Sequence, residues 1–143
     1  MSRPADKQPG AYCKEALKRY PPDDPREWLN RARSNLLRAR ARMPDVYLED
    51  LCYDAQQAAV KAIKAVSTQR TIDFHSVHDL AELTARLQAD GLEIPQAVRR
   101  AAGLTRYGTS IRYPGLDEPV TDSEYQEAVE LAEAVVQWAE ASL

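Results

Sequence analysis

Glycine is scarce in this chain, five of 143 residues, and aromatic side chains make up only 7%. Turn-rich β-sandwiches and barrels draw heavily on both, so that class is set aside first. Cysteine is nearly absent as well. Of the two present, Cys52 falls inside an alanine-rich apolar run where a thiol acts as a small core residue, so a reducing compartment and no disulfide with Cys13 are expected. The opening MSRPADKQPG lacks an apolar signal core, and no run approaches the roughly 18 apolar residues that a membrane span needs. A cytoplasmic protein without membrane contact is therefore expected. Excess positive charge is missing too. With a formal net charge of -3, any contact with phosphate polymers must use a local basic patch. Finally, there is no Gly-rich loop followed by Lys and Ser or Thr, and no Gly-x-Ser-x-Gly elbow, which removes self-contained NTPases and hydrolases of those kinds.

Amphipathic helix is what remains, and it is abundant. The length suits one hydrophobic core. Residues 1–24 hold Pro4, Pro9, Pro21 and Pro22 and read as an N-terminal arm, with residues 25–143 forming the helical domain. Asp24-Pro25-Arg26-Glu27 carries a capping residue, a proline suited to the first turn and an acid that can reach back. The spacing of Trp28, Ala32, Leu36, Ala39 and Met43 then predicts a first helix that Pro44 ends. Asp45 is the expected cap of a second and longest helix, striped by Leu48, Leu51, Cys52, Ala55, Ala59, Ala62, Ile63 and Val66. Its alanines let neighbouring backbones come close, which places it centrally. Ser76 and Asp79 form a capping pair before Leu80, Leu83 and Leu87, and Gly91 supplies the stop. Pro95 opens a fourth segment through Val98 and Ala101 toward Tyr107. Thr121 with Glu124 starts the last helix, which Ala128, Leu131, Ala132, Val135 and Trp138 line. The expected fold is all-α: an up-and-down antiparallel four-helix bundle with an additional short helix.

Charge is uneven between the first and last helices. The first carries six arginines from Arg26 to Arg42, and the last carries Asp122, Glu124, Glu127, Glu130, Glu133 and Glu140. Either these are neighbouring solvated faces of one bundle, or the arginines bind phosphate or a second subunit. The sequence leaves both open.

The segment CYDAQQAAVKAIKAV, followed by HSVHDL and then by RYGTSIRYPG ahead of a Thr-capped final helix, resembles the HEPN family in content, spacing and order over about residues 25–141. That resemblance implies a helical bundle, usually a homodimer. It also implies an association with a minimal nucleotidyltransferase in a toxin-antitoxin-like pair and with nucleotide or RNA transactions. Two departures stand out. Val60 occupies a place where many members carry Glu. The ribonucleases of the wider superfamily have an Arg and, four to six residues later, a His near the start of the last core helix, whereas here Arg106 and Arg112 are followed by no histidine.

Arg106, Tyr107, Arg112 and Tyr113 form the favoured nucleotide- or RNA-binding cluster, because guanidiniums hold phosphates and phenols stack on bases. Gln56, Gln57, Lys61 and Lys64 border the same groove in this reading, and His78 joins the binding candidates, its plainer role being to fix the entry of the third helix. Arg70 and His75, separated by TIDF, fit the arithmetic of the nuclease pair and are the catalytic candidates, although they lie outside the motif's usual place. His75 and His78 lack a third ligand, so neither a metal nor a cofactor is expected. The leading expectation is a binding module. A metal-independent ribonuclease toxin and a non-catalytic assembly scaffold, with Tyr107 or Tyr113 modified by the partner, are the alternatives.

Overall fold

A computed structural model describes residues 17–108, 114 and 119–143. Cys13, Arg112 and Tyr113 lie outside the described residues. Helix α1, Pro25–Arg40, starts as read: the Asp24 carboxylate accepts from the Arg26 amide and Pro25 opens the first turn. Two details differ from expectation. Glu27 reaches further back, accepting the amide of Tyr20 at 2.9 Å, and the helix ends at Arg40 rather than at Pro44. Residues ahead of a proline are pushed out of helical geometry, so the final turn unwinds and Met43 is left exposed. Residues 17–23 are pinned along α1, with Asn30 donating to the Lys18 carbonyl and Arg26 stacked 4.1 Å over the Tyr20 ring.

Helix α2, Leu48–Gln69, begins after Tyr47 with no side-chain cap, so Asp45 does not serve as one. It is buried almost all round, as a central helix must be. Ala55, Ala58, Ala59, Ala62 and Ala65 lie fully inside with Ile63 and Val66. Val60 belongs to this core too, so a glutamate here would be buried among apolar atoms. The side that escapes complete burial carries Tyr53, Gln57, Lys61 and Thr68, spaced at helical steps, with Lys64 beside them.

The cap of α3, Leu80–Ala89, is Asp79, which accepts from the Ala81 amide; Ser76 instead takes a left-handed conformation at φ 66°. Gly91, at φ 96°, closes α3 by donating to the Gln88 carbonyl while Leu92 donates to that of Leu87. This paired closure needs a residue without Cβ strain at Gly91. Pro95 precedes the short α4, Gln96–Arg100, which tightens into a 3₁₀ segment, Ala101–Tyr107. Helix α5, Asp122–Ser142, opens with the expected reciprocal cap between Thr121 and Glu124. Among the described residues there are five α-helices and no strand.

Partner numbers fix the directions of the long helices. Arg33, Arg40 and Arg42 of α1 and its following turn meet Glu140, Glu133 and Asp122 of α5, so the two run antiparallel. Asn35 and Arg38 of α1 meet Asp54 of α2, and Asn35 also accepts from Lys61, so α1 and α2 are antiparallel as well. The remaining arginines also have acids within this chain: Arg26 has Asp24 and Arg31 has Glu27. The charge asymmetry of the sequence is thus used inside one molecule, by largely exposed pairs that contribute about 0–1 kcal/mol each. One contact ties the seam more firmly: the Tyr125 hydroxyl donates to the Ala39 carbonyl at 2.5 Å. No helix among the described residues is long and apolar enough to cross a membrane.

Candidate functional site

The favoured corner forms where the 3₁₀ segment meets α2 and α5. Gly108 packs so tightly that a Cβ there would lie 3.1 Å from the side-chain Nε2 of buried Gln56, and the Gln57 side chain donates to Gln56 Oε1 at 2.8 Å. Tyr107 is buried, and burial raises its phenol above the ordinary value. Its neighbour Arg106 lies 4.7 Å over the Tyr107 ring and donates to Glu124 at 3.2 Å. The Thr121 amide first, and then Arg106, hold the Glu124 carboxyl below its usual range. A cleft of about 200 Å³ opens here, bringing together two arginines, Arg100 and Arg106, and two glutamates, Glu124 and Glu127. Its described charges therefore balance, which weakens the pull on a phosphate.

Lys61 and Lys64 do not border that corner. They line a different face, between α1, α2 and the segment leading into α3. Lys64 is only 7% exposed, and its ammonium sits 5.5 Å from the Trp28 ring and 5.3 Å from the Phe74 ring. Among the described residues no oxygen accepts a hydrogen bond from it. Trp28 and Phe74 meet edge to face at 5.5 Å, and His75 stacks on Phe74 at 5.7 Å. A cleft of about 850 Å³ opens over this group. Lys61, one turn earlier, donates to Asn35 and lines a second cleft of about 520 Å³ with Arg19, Tyr20 and Arg31. Trp28 and Pro22 belong to both walls.

The electrostatics of this face follow from crowding. Burial lowers the Lys61 pKa, helped by Arg31 and Arg38 and opposed by Asp54. Burial lowers that of Lys64 too, helped by Lys61. Two strongly hydrated ammonium groups are thus held in a partly dry place beside other cations, which suits an arriving anion. The segment that walls the larger cleft is also strained: Thr71, β-branched, has φ 59°, and Ser76 has φ 66°. Such conformations persist where surrounding contacts enforce them, and they cluster at ligand sites.

The nuclease candidates do not converge. Arg70 bonds Asp90 at 2.8 Å and does not line the cleft, whereas His75 does line it and is held by Asp73 at 2.8 Å. The His75 amide and then its ring lower the Asp73 carboxyl. His78 is exposed at the entry to α3. Among the described residues no three His, Cys, Asp or Glu side chains gather as a metal site would need. Sequence reasoning missed Trp28, assigned to the core, and Phe74, which stands in the non-periodic stretch. The one Phe of the chain in a polar loop was the available signal.

Taken together, these observations define an all-helical bundle with a cationic and aromatic cleft on its α1–α2 face. The HEPN domain model matches residues 25–142, and the chain belongs to the HEPN family. It is similar to TT1696 from Thermus thermophilus, whose crystal structure shares 31% sequence identity and a TM-score of 0.69, over 83% of this chain and 98% of that one. ST0689, an archaeal HEPN homologue, is 23% identical with a TM-score of 0.67, over 87% of this chain and 98% of its own; that likeness speaks for the fold. A search of curated proteins finds no match.

Proposed function

We propose that this HEPN protein is a homodimeric binding module that holds a nucleotide or RNA phosphate and partners a minimal nucleotidyltransferase in a toxin-antitoxin-like pair. The observation that carries the binding part is Lys64: a lysine with only 7% of its surface exposed, its ammonium lacking an oxygen partner among the described residues and lining an open cleft. A buried charge of this kind is costly until an anion arrives, and a charge-assisted bond to phosphate then offsets the cost. The weight of the site therefore moves from Arg106 and Tyr107 to Lys61 and Lys64. The corner around Arg106 and Tyr107 remains the second place to test, with Arg112 and Tyr113 tested as candidates of the sequence alone.

Anisotropy titration of labelled nucleotides and short RNAs at several salt concentrations examines this directly. Lys64→Met is expected to weaken binding about tenfold or more, and affinity should fall with salt. Arg106→Ala and Arg112→Ala should have smaller effects. Binding that survives Lys64→Met and the arginine variants alike removes both placements. Light scattering checks the dimer, and co-purification with a nucleotidyltransferase encoded beside this chain checks the partnership. The same RNA mixtures, run on gels, are expected to show intact RNA.

A further inference from the structure

The two clefts share a wall made of Pro22 and the Trp28 ring. Trp28 has the Lys61, Arg19 and Arg31 group on one side and the Lys64 group on the other. Lys61 and Lys64 are three residues apart on α2, a separation that puts their side chains about 5–6 Å apart at the Cβ atoms. Glu27 is the acid of the smaller cleft, but the Tyr20 amide and Arg31 occupy its two oxygens. In the larger cleft Asp73 is engaged by His75, and Asp23 is exposed to water. Arg31 is answered by Glu27, and Lys61 donates to Asn35 with buried Asp54 beyond it, so Lys64 is the flanking lysine with no oxygen partner among the described residues.

We propose that this face is a bipartite site for single-stranded oligonucleotide, with Trp28 as the divider on which a base stacks while successive phosphates fall to Lys61 and Lys64. The inference rests on the phosphate-binding reading above and adds to it the size and form of the ligand. A mononucleotide can satisfy one cation or the other; a strand spanning the indole satisfies both. Phe74, stacked with His75, bounds the Lys64 side of the track. Duplex is a poor fit, because its bases are already stacked on each other and present no face to an indole.

The test uses the full-length chain in a Trp138→Phe background, so that Trp28 is the sole indole reporter. Uridine monophosphate and single-stranded uridylates of increasing length are titrated at several salt concentrations. Trinucleotide is expected to quench Trp28 emission and to bind about tenfold or more tightly than the monophosphate. Lys61→Met and Lys64→Met should each flatten the salt dependence by about 0.7 in the log–log slope, the value of one lost phosphate contact on a single strand. Trp28→Leu should erase most of the gain with length, and Trp28→Phe should keep part of it. A circular dichroism spectrum like that of the parent shows that each variant is folded. If the monophosphate binds as tightly as the trinucleotide while still requiring Lys64, the bipartite site is wrong and the phosphate-binding reading stands. If neither ligand binds, both fall.

Discussion

Replacing Lys64 by methionine is expected to stabilise this protein. Methionine keeps most of the apolar stem and its fit in the seam, so the substitution isolates the charge. A lysine with 7% of its surface exposed, whose ammonium has no oxygen partner among the described residues, loses part of that group's hydration at a cost on the order of several kcal/mol, less what the open cleft screens. The rings of Trp28 and Phe74 return about 1–2 kcal/mol each. The balance leaves a burden on the order of 1 kcal/mol, so the variant should gain about that much and melt about 2–4 °C higher. The pH dependence has a definite sign. Because burial and Lys61 lower the Lys64 pKa, the unfolded chain keeps that proton to higher pH than the folded one. The burden is present in full below the lowered folded value. It disappears as pH climbs toward the unfolded value of about 10.4, so wild-type stability should rise across that window. Lys61, lowered in the same direction, adds to the slope. Urea unfolding followed by circular dichroism, from neutral to about pH 10, should show the variant's advantage shrinking with pH. A variant less stable than wild type by about 1 kcal/mol or more at neutral pH would refute the reasoning, because the rings would then hold the ammonium better than water does.

Other perturbations test the frame around the site. Glu49 is buried and accepts the Val120 amide at 2.7 Å, so Glu49→Ala should cost about 1–3 kcal/mol in urea unfolding and speed exchange of that amide. Thr121→Ala removes the cap of α5 and should cost about 1 kcal/mol by thermal melting. Gly91→Ala, at φ 96° with open space around it, should lose about 1 kcal/mol from backbone strain and not from a clash. Ile63→Ala, in the fully buried part of α2, should cost about 2–5 kcal/mol in the same measurement.

The helices were legible because their signals are local and repeated. The stripe of α2, the Gly91 stop and the Thr121–Glu124 cap each depend on residues within a few positions of one another. Helix ends were less legible. Asp45 and Ser76 are sound capping residues by type, yet the chain starts helix at Leu48 and Leu80 because the turns before them take other paths. The site was half visible. Lys61 and Lys64 stood among the candidates but were attached to the wrong corner, since no periodic signal says which neighbour an open helix stripe will face. Trp28 comes from one helix and Phe74 from a loop 46 residues later, and only tertiary packing brings them to 5.5 Å. The arginines of α1 carried the opposite lesson, since a conspicuous run of charge found its acids inside the same fold.

A spine made of methyl groups has an asymmetric tolerance for change. Where Ala55, Ala58, Ala59 and Ala62 meet the flanking helices, there is almost nothing left to trim, and so the common lesion of a truncated side chain and an empty hole has little purchase. Damage there has to come from growth. Each added carbon would wedge neighbouring helices apart, so bulkier residues in this seam should loosen the bundle where trimmed ones do not.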